Sequence, residues 1–384
     1  MISGRAAIAG IGELAPRRDT GEATTVELLS RVADLTVRDA GVPLRDVDGL
    51  VVHQIRSMSM GAVALVELLG LQVSFVDRVD HGGATGAAMI ARAAMAVATG
   101  MCTTCLCLTA TARRPGDAGP RVDDQSPTAE FEEPYGGSGA NYGYAMIARR
   151  YMHEFDVTPG QLAKIAVDQR ANACANPDAI FHGKPITVDD VLASPVVVDP
   201  LHMLEIVMMT GGAAGVLVTT PERAAHLAQI PVPILGVGEH VSHWSATYAH
   251  DLTTSAVKPA ADRAFAMAGV ARSDIGLLSL YDCYTITVLL TLEDAGFCAK
   301  GAGGRFVEEH DLRWHGDRPL NTHGGQLSYG QSGIAGGMSH VTEAVRQLQG
   351  RAEGRAVDGL DLAFVHGNGG IMGEQVSLVL GRSG

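Results

Sequence analysis

The chain repeats one phrase, an apolar strand followed by a glycine-rich turn and a helix, and that repeat restricts the fold more than any other feature. Val79-Asp80-His81-Gly82-Gly83-Ala84-Thr85-Gly86 opens an alanine-rich helix over residues 87–98, with Thr99-Gly100 as its stop. His323-Gly324-Gly325 echoes His81-Gly82-Gly83 within residues 321–337. There Asn321, His323, Gln326, Ser328, Tyr329, Gln331 and Ser332 are spaced among glycines, which let backbone come close to a ligand. A glycine turn feeding a helix also aims several N–H groups and the positive end of the helix dipole at one place, where an anion or oxyanion can sit.

The rest of the chain has the same grammar. Residues 6–12, 46–53, 101–110 and 210–220 read as strands, and residues 24–40 as a helix with Val26, Leu29, Val32, Leu35 and Val37 at helical spacing. A second series follows: strands at 230–236, 275–281, 360–365 and 375–380, with helices at 257–268, 287–295 and 338–349. This alternation predicts an α/β fold with helices on the faces of a layered sheet, its second half mirroring its first. Residues 113–134 shift to Arg, Pro, Gly, Asp and Glu, a surface excursion, and residues 142–155 and 158–173 then predict a helical insertion.

Composition narrows the functional classes. Of 384 residues 46% are hydrophobic and 18% charged, the balance of an α/β enzyme with a large core. A formal charge of −13 argues against a general nucleic-acid or anionic-membrane surface, which needs basic patches. The early glycines Gly4 and Gly10 break the start too soon for a signal-peptide core, and no apolar run approaches the roughly 18 residues of a membrane span, so a cytoplasmic location is expected. Cys102, Cys105 and Cys107 are expected to pack as small buried hydrophobes rather than to bind metal, and no bound metal is expected.

Two further stretches carry candidate chemistry. Tyr281-Asp282-Cys283-Tyr284 ends an apolar strand just before a helix, where α/β folds gather reactive groups. His366-Gly367-Asn368-Gly369-Gly370 places polar groups between glycines after another buried strand. A Walker loop and a Gly-x-Ser-x-Gly elbow are both missing.

Taken with Pro134-Tyr135-Gly136, Asn176-Pro177-Asp178-Ala179, Asp199-Pro200-Leu201-His202 and Glu293-Asp294-Ala295-Gly296-Phe297-Cys298, these stretches resemble the thiolase superfamily along nearly the whole chain. The similarity is to the branch of sterol-carrier-protein thiolases and lipid-transfer-type proteins. It implies a thiolase fold of two βαβαβαββ halves in an α/β/α/β/α stack, residues 1–112 with 209–228 and residues 229–384, with residues 113–208 as an inserted loop domain. That branch carries a nucleophilic Cys in a Cys-Ala-Ser-Gly turn, which here reads Gly83-Ala84-Thr85-Gly86. Its His-Asp-Cys-Phe is Tyr281-Asp282-Cys283-Tyr284, and its Gly-His-Pro is Gly330-Gln331-Ser332.

A lost cysteine with gained tyrosines resembles the retro-aldolases that shorten steroid or other side chains as coenzyme A thioesters. The resemblance implies a carbon–carbon lyase that splits a β-hydroxyacyl-CoA into a ketone or aldehyde and a shortened acyl-CoA, with coenzyme A as part of the substrate and no covalent cofactor. It implies Tyr329 as acid or base at the β-hydroxyl, Tyr281 as its partner with Tyr284 in reserve, and His366 as the group that reprotonates the enolate. Backbone N–H groups of Gly83 and Asn368 would form the oxyanion hole, with Gly369, Asn321 and Gln331 as further substrate contacts. A homodimer is expected, joined by a small zinc-ribbon and OB-fold partner into a heterotetramer. Two other readings stand beside it: acyl transfer through another nucleophile such as Cys283, and a non-catalytic acyl-CoA or sterol-binding subunit.

Overall fold

Local signals set many element ends. The first long helix starts where the Thr24 side chain accepts a hydrogen bond from Glu27 N and ends where Gly41 turns left-handed at φ 70°. In the computed structural model residues 2–55, 60–117, 126–137 and 139–383 are described. Residues 118–125 of the expected surface excursion lie outside them.

The first series runs β1 (Ala7–Arg17), α1 (Thr25–Ala40), β2 (Gly49–His53), α2 (Gly61–Leu68), β3 (Phe75–Val79), α3 (Thr85–Ala98) and β4 (Thr104–Thr111). Helices α4 (Pro127–Phe131), α5 (Gly139–Phe155), α6 (Pro159–Cys174) and α7 (Val188–Ala193) follow, with a hairpin of β5 (Val196–Val198) and β6 (Leu201–His202). Strand β7 (Gly211–Thr219) then returns to the sheet, before α8 (Pro221–Ala224). The second series is β8 (Val232–Val241), α9 (Val257–Ala268), β9 (Leu277–Leu280), α10 (Thr285–Asp294), α11 (Gly303–Glu309), α12 (Gly325–Ser328), α13 (Gly336–Leu348), β10 (Leu362–Gly369) and β11 (Glu374–Gly381).

The nine-stranded sheet has the order β3-β2-β4-β7-β1-β8-β11-β10-β9. β1 and β8 join at only two residue pairs, Ala7↔Pro233 and Ile8↔Val232, so the sheet divides there into two halves. Outward from that join, β1, β7, β4, β2 and β3 correspond in order to β8, β11, β10, β9 and a fifth position marked by the parallel bridge Leu278↔Leu320. Helices α3 and α13 pack on one another between the halves, where Ala87, Ile90, Val341 and Val345 share a core with Val218, Val376 and Leu378. Helix α1 covers the outer face of the first half, and α9 lies on β8 and β11 of the second. The result is the five-layer α/β/α/β/α arrangement. No described helix is long and apolar enough to cross a membrane.

The structure corrects one detail of the repeat. The turn that matches Gly82–Ala84 in position is Gly333–Ala335, a 3-10 turn that feeds the second central helix, α13. The echoing His323-Gly324-Gly325 instead starts the one-turn helix α12. The pairing of α2 with edge strand β3 was also not legible, because Phe75-Val76-Asp77-Arg78-Val79 alternates apolar with charged residues on a half-exposed edge. Cys105 and Cys107 lie in β4 inside the central core.

Candidate active site

The site is assembled where β9 ends. The Tyr281 amide donates to His366 O at 2.9 Å, extending the parallel β9–β10 ladder by one residue beyond the strand. Asp282 follows, fully buried. Its carboxylate accepts from Gln326 N at 2.7 Å and Leu327 N at 3.1 Å, both at the start of α12, and His340 Nε2 lies 3.3 Å away. Gly325, at φ +61°, has no room for a side chain, since a Cβ there would lie 2.2 Å from Asp282 Oδ2. Asp282 thereby pins the glycine-rich stretch 321–337 to the end of β9. Burial raises its pKa, and His340 and the two amides offset part of that rise.

Asn321 serves the same junction. Its side chain accepts from Leu280 N at 2.7 Å and donates to Leu280 O at 2.8 Å, imitating a neighbouring strand at the edge of β9. With both amide ends engaged, Asn321 is placed as a structural clamp rather than as the substrate contact expected from the sequence.

Gly83 and Tyr281 meet head-on. A Cβ built on Gly83 would lie 2.3 Å from Tyr281 Cζ, 2.6 Å from Tyr281 Oη and 2.4 Å from Asn368 O. The phenol of Tyr281 therefore fills the space that a side chain at residue 83 would take. Gln331 Nε2 donates to Tyr281 Oη at 3.1 Å, and the hydroxyl's own proton meets no acceptor among the described residues. Burial pushes the Tyr281 hydroxyl well above the ordinary tyrosine range, and the bond from Gln331 offsets only part of this.

The inserted helix α5 closes the other side. Tyr284 stacks on Tyr144 with ring centroids 4.4 Å apart, and its hydroxyl bonds Asn141. Asn368 Nδ2 donates to Tyr144 Oη at 2.9 Å, and Tyr144 donates to Gly370 O at 3.1 Å. Cys283 lies beside them, 4.0 Å from Asn368 Nδ2, and burial pushes its thiol up to about 12. A thiol so placed is not a thiolate at neutral pH, which weakens Cys283 as a nucleophile.

Three expected roles change with this geometry. Asn368 turns its backbone carbonyl, an acceptor, toward Gly83, and its side-chain amide adds a donor, to Tyr144. Gly369 faces away: a Cβ there would lie 2.0 Å from His81 O, so the glycine permits a close backbone approach. His366 has both ring nitrogens occupied, Nδ1 with Ser377 Oγ at 2.8 Å and Nε2 with Gln375 Oε1 at 2.7 Å. That fits a positioning role better than direct proton transfer to an enolate.

Tyr329 stands apart from this cluster. Its ring centroid lies 5.1 Å from that of His323, it packs on Ala173 and Ala179, and it lines a small cavity with Glu13, Ser332 and Ser339. Burial and the neighbouring Glu13 carboxylate both raise its pKa. Among the described residues no hydrogen bond or ring contact joins Tyr329 directly to Tyr281, the rings of His323 and His340 lying between them; Gln331 is the member of that stretch that hydrogen-bonds it. Sequence reasoning missed Tyr144, Asn141, His340, Gln375 and Ser377. The alternation of Gln375 and Ser377 with apolar residues was visible, but only the register of β11 on β10 brings them to His366 and Asn368.

The comparisons with known proteins agree with this architecture. Residues 238–382 match the family model "Thiolase C-terminal domain-like". A steroid side-chain-cleaving aldolase of Thermomonospora curvata is 34% identical over 382 residues, covering 96% of each chain. The chain belongs to the thiolase superfamily. A second relative in the superfamily, the 17-hydroxy-3-oxo-4-pregnene-20-carboxyl-CoA lyase of Mycobacterium tuberculosis, is 34% identical over 91% of this chain and 93% of its own length. A solved Ltp2-ChsH2(DUF35) aldolase superimposes with a TM-score of 0.91 at 32% identity, covering 100% of this chain and 99% of that one. A thiolase-type site with a phenol in place of a side chain at the turn is thus the setting for the chemistry.

One consequence is independent of substrate. Burial lowers the His366 pKa from an ordinary 6.5 to about 4, so the folded protein refuses a proton that the unfolded chain accepts. This stabilisation is fully present above the unfolded pKa and is lost as pH falls toward 4, roughly 3 kcal/mol in all. Urea unfolding followed from pH 7.5 to 4.5 should show wild type losing more stability over that window than His366→Gln. The variant should keep a histidine contribution from His53, His243 and His323, whose pKa values burial also lowers.

Proposed function

We propose that this chain is an acyl-CoA carbon–carbon lyase that cleaves a β-hydroxyacyl-CoA by retro-aldol reaction, giving a ketone or aldehyde and a shortened acyl-CoA. The observation that carries the reading is the Tyr281 hydroxyl in the space of a residue-83 side chain. A turn with no nucleophile excludes an acyl-enzyme there, while an acid–base group in the same place suits a reaction that needs no covalent step. The two relatives' names, an aldolase and a CoA lyase, support it.

In the proposed reaction the β-hydroxyl gives its proton to the Tyr281 oxygen. The Cα–Cβ bond breaks, its electron pair enters the thioester as an enolate, and the carbonyl product leaves. Tyr281 then returns the proton to Cα, so protons balance over the cycle. Gln331 holds the phenol oxygen, and we assign the enolate oxygen to the Asn368 side-chain amide and the Gly83 backbone N–H. Tyr284 and Tyr144 wall the substrate. The two halves of the fold, residues 1–112 with 209–228 and residues 229–384, meet at this site, and residues 113–208 contribute Asn141 and Tyr144.

Because burial keeps Tyr281 protonated, the active phenolate is a small fraction at neutral pH. For the cleaved substrate kcat/KM should therefore rise with pH from 7 through 9.5 without a plateau. A profile that is flat or falls would remove Tyr281 as the base.

The relatives' names make steroid side chains carried as CoA thioesters the first substrates to test. The superimposed aldolase is named for two proteins, Ltp2 and ChsH2(DUF35), and we infer a small zinc-ribbon and OB-fold partner here, in a heterotetramer around a homodimer. The deciding experiment incubates a panel of β-hydroxyacyl-CoA thioesters with the chain, alone and co-expressed with that partner. Mass spectrometry should find ketone or aldehyde in equal amount to shortened acyl-CoA. Tight binding without turnover under both conditions would leave only a binding role.

A further inference from the structure

Four polar side chains face one side of the β10–β11 pair: His366 and Asn368 from β10, Gln375 and Ser377 from β11, opposite one another in register. His366, Gln375 and Ser377 are fully buried and Asn368 is 1% exposed. Burying so many polar groups is costly unless all are satisfied, and a partly satisfied set would be worse than an apolar one. Here they form one continuous chain that ends outside the strands, on Tyr144 of α5.

The direction of every bond in that chain follows from its last member. The Gly370 carbonyl only accepts, so Tyr144 must donate its single proton there. Tyr144 Oη can then only accept from its other partner, so Asn368 turns its NH2 toward it. Asn368 Oδ1 is left to accept, at 2.8 Å, from Gln375 Nε2. Gln375 Oε1 in turn accepts from His366, which places the imidazole proton on Nε2 and leaves Nδ1 bare for the Ser377 hydroxyl. A single backbone carbonyl thereby dictates two amide orientations and one histidine tautomer.

We propose that Gln375 is a positioning residue for the retro-aldol site, which holds the Asn368 amide with its NH2 turned into the tyrosine cluster and His366 as the Nε2–H tautomer. The catalytic part of this rests on the function proposed above. Gln375 touches no reacting atom. It acts by preventing Asn368 from presenting its oxygen where the enolate oxygen would form.

The tautomer can be read without substrate. In full-length wild-type protein labelled with 15N-histidine, at pH 7, the His366 signals, identified by their loss in His366→Gln, should show a protonated Nε2 and a bare Nδ1. A protonated Nδ1 would overturn the relay. The catalytic claim is read on Gln375→Glu. Its carboxylate still accepts from His366 but confronts Asn368 Oδ1 with a second acceptor, which turns the amide over. With the cleaved substrate kcat should fall about 10–100-fold while KM stays within about twofold, as expected for a misplaced transition-state donor. Gln375→Met, which cannot orient the amide, should show the same split with an unchanged circular dichroism spectrum. Wild-type kcat in either variant would overturn the positioning role. If wild-type protein cleaves no β-hydroxyacyl-CoA, the lyase reading fails, while the tautomer measurement still decides the hydrogen-bond chain.

Discussion

Tyr281→Phe is expected to lower kcat for β-hydroxyacyl-CoA cleavage by about 10³-fold, in the range of a lost general acid–base group. The substitution removes one oxygen and leaves the ring that packs against the Gly83 turn, so the fold should survive. Gln331 Nε2 loses its acceptor, a stability cost of about 1–3 kcal/mol for a buried group left unpaired. KM should change little, because the phenol oxygen serves the breaking bond more than the bound thioester. The parallel Tyr329→Phe variant should lose less than tenfold, since that hydroxyl lies beside Glu13 and packs in a separate cluster. Initial rates of both variants at saturating substrate check the pair. Near wild-type turnover by Tyr281→Phe with collapse of Tyr329→Phe would return the chemistry to Tyr329.

Gly83→Ala should remove both activity and part of the stability. The added methyl would lie 2.3 Å from Tyr281 Cζ and 2.4 Å from the Asn368 carbonyl, which belongs to a sheet strand and cannot move aside freely. Overpacking of this kind costs typically about 1–3 kcal/mol, and here it also displaces the proposed base. In a Tyr281→Ala background the ring is gone while the carbonyl contact remains. The same methyl should then cost less, with a coupling of about 1 kcal/mol in a double-mutant cycle by urea unfolding. Full additivity would mean that Tyr281 does not occupy this space. Gly83→Cys should trap no acyl group by mass spectrometry, because the Tyr281 ring and the Asn368 carbonyl occupy the space its side chain would need and leave the thiol no open approach to a thioester.

Much of the architecture was legible because it depends on local pattern. Apolar runs bounded by glycine, and helical spacing such as Val26, Leu29 and Val32, gave the strands and helices of both halves. The resemblance to thiolases placed Gly83, Tyr281, Gln331, His366 and Asn368 near one another. Their roles were less legible. Asn321 and Gly369 looked like ligand contacts in a glycine-rich stretch, yet Asn321 clamps Leu280 and Gly369 admits His81 O. Tyr329 drew attention as the tyrosine next to Gly330-Gln331-Ser332, but the chain turns between Tyr329 and Gln331, and only Gln331 bonds Tyr281.

The sequence by itself determined the two-half α/β plan, the inserted helices and the loss of a nucleophile at residue 83, because strand and helix periodicity and the identity of a single residue are local properties. Tertiary structure alone decided that the phenol of Tyr281 fills the vacated space. It also decided that Tyr144 of α5 sets the direction of a hydrogen-bond chain reaching Ser377. Tyr144 and Ser377 are far apart in the chain, and their polar groups come together only through the register of β10 on β11 and the packing of the inserted helix over it.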